Sequence, residues 1–141
     1  MIRVVLDTNI VISGSLWSGA PHRVLDTITQ DITRPVVTEI MLEELTEVLH
    51  REKFEGRLQI VGKTPDQIVN EYAASAEVVE AASLNKPVAS DPDDDMFLAC
   101  AISGHAEMIV SGDPHLLDVK EYGGIRIVTA AGFLEYLQTQ R

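Results

Sequence analysis

The sequence predicts an α/β fold with a mainly parallel central sheet flanked by helices. Strand-like and helix-like segments alternate along the 141-residue chain, as in sheets whose parallel strands are joined by helical crossovers. The strand-like segments are short apolar runs that end in polar residues, which is typical of buried parallel strands. The length matches one domain spanning residues 1–141, and no repeat or linker interrupts it.

The first half of the chain supplies two strands. Residues 2–6 are apolar and mostly β-branched, which predicts a buried strand. Residues 10–17 are compatible with a short helix or a loop, and a short amphipathic helix follows the break at residues 18–21. Residues 35–37 predict the second strand. Thr38 is a suitable N-cap for a helix whose apolar face carries four residues, Met41, Leu45, Val48 and Leu49.

The second half begins with the best-defined helix start in the chain. Thr64 is followed by a proline at the first helical position and by Gln67 three residues after the cap, a capping-box pattern that predicts a helix to about Ala76. Residues 78–79 are compatible with a short strand or a loop. The pair Asp91-Pro92 can begin a helix that ends at Gly104.

The remaining elements are two strands and a terminal helix. Apolar residues 108–110 and 125–128 predict strands, and Thr129 is a suitable N-cap for the last helix. Residues 7 and 113 therefore lie at or just beyond the carboxyl ends of predicted strands, where open parallel sheets bind their ligands.

Composition limits the cellular setting. Cys100 is the only cysteine, so no disulfide can form within the chain, and its apolar neighbours favour a buried, unreactive side chain. The sequence has no secretory signal pattern and no apolar run long enough for a membrane helix. We therefore expect a protein of the reducing cytoplasm with no membrane association.

Four acidic segments lie at the edges of apolar stretches, and they carry the functional interpretation. They contain Asp7, the pair Glu43 and Glu44, the run from Asp91 to Asp95, and Asp113. Carboxylates near a core are unfavourable unless they are paired, protonated or bound to a cation. Each segment alone could be a helix cap, a solvated helix start or a turn, but a divalent metal site explains all four together.

Helical spacing selects among adjacent acids. Glu44 lies on the apolar stripe of its helix, whereas Glu43 lies on the polar face. Asp95 precedes Leu98, Ala99 and Ile102 at helical spacing, and Asp94 is nearly as well placed. We prefer Glu44 and Asp95 as the inward-facing acids and keep Asp94 as the alternative to Asp95.

Clustered carboxylates are suited to phosphodiester cleavage, because two divalent ions can activate a water and stabilise the leaving oxygen. Hard oxygen ligands favour Mg²⁺ or Mn²⁺, and the four histidines form no zinc signature. The formal charge of −11 does not exclude a nucleic acid, since bound metal would reverse the local potential. Residues 50–63 hold the densest cluster of basic residues, but the interleaved acids favour a solvated helix surface over a substrate-binding patch.

The order of the motifs resembles that of PIN domains over essentially the whole chain. The motifs are VVLDTN, EELTEVL followed by HREKF, DPDDDMFLACA, IVSGDPHLL and the ending YGGIRIVTAAGFLEYL. More narrowly, the chain resembles prokaryotic PIN-domain proteins of the VapC-like group, described as the toxins of toxin–antitoxin systems. The combined pattern is specific, whereas DTN alone is not.

The resemblance implies an Mg²⁺- or Mn²⁺-dependent ribonuclease that is held inactive by a cognate antitoxin. The family's four acids fall on Asp7, Glu44, Asp95 and Asp113, which would hold the metals that activate water. Asn9 and Ser111 would be supporting polar groups; many relatives have threonine at the position of Ser111, which keeps the hydroxyl. The family often forms homodimers, and helices 39–49 and 64–76 could provide that surface, although core packing also explains their apolar faces.

Two alternatives remain open at the level of sequence. The chain could be a non-catalytic PIN-like module that binds RNA or protein, although all four acids are present. It could also be a phosphatase with Asp7 as its nucleophile, but Asn9 stands where the common DxD motif has its second aspartate.

Overall fold

The computed structural model describes residues 1–82 and 94–140. In those residues a six-stranded sheet has the order β3-β2-β1-β4-β6-β5 and is flanked by helices. The strands are β1 (Ile2–Leu6), β2 (Thr33–Val37), β3 (Glu77–Val78), β4 (Met108–Val110), β5 (Glu121–Tyr122) and β6 (Ile125–Val128). Every pair is parallel except β5 with β6, so the predicted α/β fold with a mainly parallel sheet is confirmed.

Eight α-helices and one 3₁₀-helix are present in the described residues. They are α1 (Thr8–Leu16), α2 (Ala20–Thr29), α3 (Glu39–Leu49), α4 (Glu55–Val61), α5 (Pro65–Ser75), α6 (Asp95–Ser103), α7 (Pro114–Leu117), α8 (Ala130–Thr139) and the 3₁₀-helix Glu52–Phe54.

The predicted caps are present. The hydroxyl of Thr38 accepts from the backbone N–H of Met41, and Thr129 caps α8 in the same way. Thr64 and Gln67 form the reciprocal capping box expected of their spacing. These helix starts were predictable because they depend on contacts between residues three positions apart.

Four short elements were not anticipated: the 3₁₀-helix Glu52–Phe54, α4, α7 and β5. The strand β5 forms a tight hairpin with β6, and its loop residues Gly123 and Gly124 both have positive φ, 58° and 82°. Glycine reaches this conformation without steric cost, so the Gly-Gly pair was an available signal. The predicted helix start at Asp91-Pro92 lies outside the described residues, and the described part of that helix begins at Asp95.

The core is centred on β1 and β4, the middle of the sheet. Val4, Val5 and Ile109 are completely buried, and Leu98 of α6 is equally buried. Because β1 pairs with β2 on one side and β4 on the other, its carboxyl end is enclosed by neighbours. The residue that follows β1 therefore starts from a buried position.

Candidate active site

The carboxyl ends of β1 and β4 are aligned by their pairing. Leu6 pairs with Val110, and the backbone N–H of Asp7 donates to the carbonyl of Val110 at 3.1 Å. The N–H of Ser111 in turn donates to the carbonyl of Val128 at 2.9 Å. The first residues beyond the two central strands, Asp7 and Ser111, are therefore held side by side.

Asp7 is 3 % exposed, and protein donors surround its carboxylate. One oxygen, Oδ1, accepts from the backbone N–H of Ile10 at 2.8 Å, which makes Asp7 the N-cap of α1. The other oxygen, Oδ2, accepts from the hydroxyl of Ser111 and from the backbone N–H of Gly112 at 3.3 Å. Asp7 thus caps a helix with one oxygen and binds the end of β4 with the other.

Burial raises the pKa of Asp7 above its usual value, because the charged carboxylate loses hydration. Hydrogen bonds from Ser111, Ile10 and Gly112 lower the pKa in part, and the negative charge of Asp113 raises it. The net direction is upward, so ionisation of Asp7 is less favourable in its protein environment than in water. A cation beside it would favour the ionised form.

Asp113 lies two residues beyond Ser111 and is partly exposed. Its backbone N–H donates to the Ser111 hydroxyl oxygen at 3.0 Å, and its Oδ1 accepts from the backbone N–H of His115 at 2.9 Å. The residue therefore caps α7. Its charge acts on Asp7, so the structure brings these two sequence-predicted acids together through Ser111.

Glu44 joins the same region through Thr8. The Thr8 hydroxyl donates to Oε2 of Glu44 at 2.7 Å, across 36 residues of sequence. Glu44 is partly buried and Glu43 is exposed, as the helical spacing predicted. Because Thr8 directly follows Asp7, this bond holds α3 against the first turn of α1.

Asp94 and Asp95 lie at the start of α6, which packs against β1 and α3. Asp94 is 6 % exposed, whereas Asp95 is partly exposed in the first helical turn. The preference for Asp95 as the third acid stays a prediction, and so does the supporting role of Asp94. Asn9 is exposed on the first turn of α1, and its supporting role is likewise a prediction.

Across residues 1–82 and 94–140, no group of three or more His, Cys, Asp or Glu side chains is arranged to hold a metal ion. Of the sequence-predicted acids, Asp7 and Asp113 are the two that lie close together, on either side of Ser111. Glu44 is connected to them through Thr8. Two of the four histidines bond to nearby carbonyls: His22 contacts that of Gly14 and His50 that of Thr46.

Sequence reasoning missed three contributors to this region: Thr8, the Gly112 N–H and Tyr72. Tyr72 of α5 is buried, and in the described structure its hydroxyl has no hydrogen-bond partner. Burial raises its pKa, and the nearby Cys100 and Asp7 add to the effect. The DTN motif contained the signal for Thr8, but no local pattern indicates that α5 brings a tyrosine near Asp7.

Burial also raises the pKa of the Cys100 thiol to about 12, in agreement with the expected unreactive side chain.

A family model described as PIN domain matches residues 3–115. The chain belongs to the PIN-domain family. PIN domains are generally metal-dependent nucleases, and the matched range contains all four acids that the sequence singled out. The comparison with curated proteins finds no significant sequence match.

Two solved structures share the PIN fold with this chain. PAE2754 from Pyrobaculum aerophilum is 15% identical with a TM-score of 0.60, and the match covers 99% of this chain and 98% of that one. FitAcB from Neisseria gonorrhoeae is also 15% identical, with a TM-score of 0.58, and the match covers 91% of this chain and 98% of that one. At this identity the likeness concerns the fold. Within the described residues of this PIN domain, no helix is both long and apolar enough to cross a membrane.

Proposed function

We propose that this PIN domain is an Mg²⁺- or Mn²⁺-dependent endoribonuclease that hydrolyses RNA phosphodiester bonds, and that it is the toxin of a toxin–antitoxin module. The observation that carries the nuclease proposal is the association of Asp7, Ser111 and Asp113 at the carboxyl edge of a PIN-domain sheet. Membership of a family of metal-dependent nucleases supports the reaction class.

The oxygen chemistry of the proposed ligands suits a hard divalent cation, although no three acidic side chains are arranged to hold one within the described residues. The proposed ligands are Asp7, Glu44, Asp95 and Asp113, all of which offer the carboxylate oxygens that Mg²⁺ and Mn²⁺ prefer. Burial raises the pKa of Asp7, and a cation bound beside its carboxylate would stabilise the ionised form. Bound metal would supply Lewis acidity and a water activated for attack on phosphorus.

The surrounding residues position these acids. Ser111 fixes Oδ2 of Asp7, and the Ile10 N–H fixes Oδ1, so the carboxylate plane cannot rotate freely. Thr8 holds Oε2 of Glu44. Ligands held in this way lose little conformational entropy when a cation binds. Residues that hydrogen-bond to metal ligands usually contribute to metal affinity in this manner. In the proposal, Asn9 and Asp94 are further supporting polar groups.

In this proposal, a single PIN domain over residues 1–141 acts in the cytoplasm and is inhibited by a cognate antitoxin protein. The resemblance of its motifs to those of the VapC-like group supports the proposal of an antitoxin partner. A homodimer through helices α3 and α5 is part of the same proposal. Light scattering on the purified protein tests this part, because a monomer at high concentration would contradict the dimer.

The decisive experiment incubates purified wild type and Asp113→Asn with a mixed pool of structured and unstructured RNA. Each protein is tested with Mn²⁺, with Mg²⁺ and with a chelator. Asparagine at position 113 keeps an oxygen that can accept from the His115 N–H, so α7 retains its cap while the charge is removed. We expect cleavage by wild type alone, and only with metal.

A wild type that neither cleaves RNA nor binds Mn²⁺ by calorimetry would overturn the nuclease proposal in favour of a non-catalytic binding module. A phosphatase with Asp7 as nucleophile predicts an aspartyl-phosphate intermediate instead. Acid-quench trapping of that intermediate would separate the two hydrolytic mechanisms.

A further inference from the structure

Two aromatic rings and two cations form a cluster at the far end of α1, which we call the aromatic-cationic patch: Trp17, Lys53, Phe54 and Arg57. The ring centroids of Trp17 and Phe54 are 6.4 Å apart, with an interplanar angle of 62°. The Arg57 guanidinium carbon lies 5.5 Å from the Trp17 centroid, and the Lys53 ammonium lies 5.1 Å from the Phe54 centroid. Each cation therefore lies over a ring.

In the described structure, the two cations of this patch are not held in ion pairs. Of the nearby cations, Arg51 pairs with Glu47 and Lys63 pairs with Glu71. Within the described residues, Lys53 and Arg57 form no ion pair with an acid. Both cations are therefore available to an anionic ligand on a chain of net charge −11, although the exposed Glu52 and Glu55 lie beside them in the sequence.

The patch is preorganised and accessible. Trp17 is 43 % exposed although Arg57 lies over its ring, so part of the indole surface remains open to solvent. The Arg57 Nε donates to the carbonyl of Leu16 at 2.6 Å, which fixes the guanidinium beside the end of α1. An aromatic surface with two cations beside it suits a ligand that has both a flat ring and a negative charge.

The patch lies on the same helix as the candidate active site. Asp7 caps the start of α1 and Trp17 follows its end, a separation of about 15 Å at the usual helical rise. The contact of Thr8 with Glu44 brings α3 to the start of α1, and the 3₁₀-helix that follows α3 carries Lys53 and Phe54. A single strand bound at the carboxylates could reach the patch within a few nucleotides.

We propose that the aromatic-cationic patch is an anchoring subsite for single-stranded RNA, in which a base stacks on Trp17 while Lys53 and Arg57 contact phosphates. This inference rests on the proposed function, because it assumes that RNA is the substrate. The open indole face beside two cations favours RNA over a protein partner, since each nucleotide carries both a flat base and a negative phosphate. Stacking on an aromatic side chain with cationic contacts to the backbone is a sequence-tolerant mode of binding.

The test uses the fluorescence of Trp17, which is the only tryptophan in the chain and therefore reports on the patch alone. A short single-stranded RNA of mixed sequence is titrated into the protein with a chelator present, so that binding is measured without cleavage. The variants are Lys53→Gln and Arg57→Gln. Arg126→Gln is the matched control, because Arg126 is exposed on β6, two strands away from β1.

We expect RNA to quench the fluorescence, and each patch variant to weaken binding at least about fivefold. The slope of log K against log salt should become shallower by about 0.7 for each cation removed. Arg126→Gln should bind like wild type. A Trp17→Leu variant, followed by anisotropy of a labelled RNA, should also bind more weakly. Thermal melting identifies any variant that is merely unfolded, and Lys53→Gln removes no hydrogen bond of the described structure.

Unchanged fluorescence together with normal RNA affinity in Lys53→Gln and Arg57→Gln would overturn the inference, and a patch that serves a protein partner would give that result. The metal-dependent cleavage assay separates this failure from that of the proposed function. Cleavage by wild type without a response at Trp17 would leave the nuclease and reject the subsite. Binding at the patch without cleavage under any metal would support the subsite and reject the nuclease.

Discussion

The hydroxyl of Ser111 donates a hydrogen bond to the buried carboxylate of Asp7, which lies 104 residues earlier in the chain. This bond connects the carboxyl ends of the two central strands of the sheet, β1 and β4. The same hydroxyl oxygen accepts from the backbone N–H of Asp113. One serine therefore sets the relative positions of the first and last acids of the candidate site.

Replacement of Asp7 by asparagine should abolish metal-dependent cleavage without unfolding the protein. Asparagine is a good N-cap and can still accept from the Ile10 N–H, but it removes the charge that a cation needs. We expect the cleavage rate to fall by more than about 100-fold, the upper end of the loss typical when a residue that only orients a metal ligand is replaced. The measurement is the rate of RNA cleavage with Mn²⁺, and undiminished cleavage by Asp7→Asn would contradict the mechanism.

The stability of the metal-free protein should depend on pH through Asp7. In the folded state its pKa is raised above the unperturbed value of 3.8. The stabilisation from this group is therefore fully present below pH 3.8, and it is lost as the pH rises through the pKa of the folded state. Asp7→Asn lacks this loss. The melting temperature of Asp7→Asn minus that of wild type should therefore increase from about pH 4 to about pH 7.

Other carboxylates titrate in both proteins, so their contributions cancel in the difference. A difference in melting temperature that stays constant with pH would show that Asp7 has an ordinary pKa. Added Mn²⁺ should stabilise wild type more at the higher pH, because protons compete with the metal for the carboxylate.

Removal of the Ser111 hydroxyl should impair the site through Asp7. Ser111→Ala deletes a donor that lowers the Asp7 pKa, so the acid limb of the pH–rate profile should move to higher pH. We expect cleavage to fall about 10–100-fold. Ser111→Thr keeps the hydroxyl and should keep the wild-type profile. A slower enzyme with an unshifted acid limb would mean that Ser111 does not act on Asp7.

Adjacent glutamates on α3 provide a matched pair of variants. Glu44 accepts from Thr8 and is partly buried, whereas Glu43 is exposed. Glu44→Gln should remove metal-dependent cleavage, and Glu43→Gln should keep the wild-type rate because its side chain points to solvent. Calorimetric titration with Mn²⁺ should show the same contrast. Equal effects of the two variants would argue against the assignment of Glu44.

The third acid can be assigned by a second matched pair. Asp95→Asn should remove cleavage with little change in melting temperature, because Asp95 is partly exposed. Asp94 is 6 % exposed, so we expect Asp94→Asn to change the melting temperature while part of the activity remains. The reverse result, with activity lost in Asp94→Asn and kept in Asp95→Asn, would transfer the role to Asp94.

Local contacts explain which elements were predictable. The capping box at Thr64 and the N-cap at Thr38 depend on atoms three residues apart, and the apolar runs of β1 and β4 are visible in sequence. The short helix α4 and the strand β5 were not predicted. Each has too few residues to show a hydrophobic period, although glycines with positive φ mark their ends at Gly62 and Gly123.

The sequence by itself determined the fold class, the strand-end positions of Asp7 and Asp113, and the choice of Glu44 over Glu43 as the inward residue. These follow from hydrophobic periodicity, which is a local property. Only the tertiary structure decided that Ser111 bonds to Asp7, that Thr8 holds Glu44, and that Arg57 lies over Trp17. Those contacts join residues 36 to 104 positions apart, and only the packing of strands and helices brings such residues together.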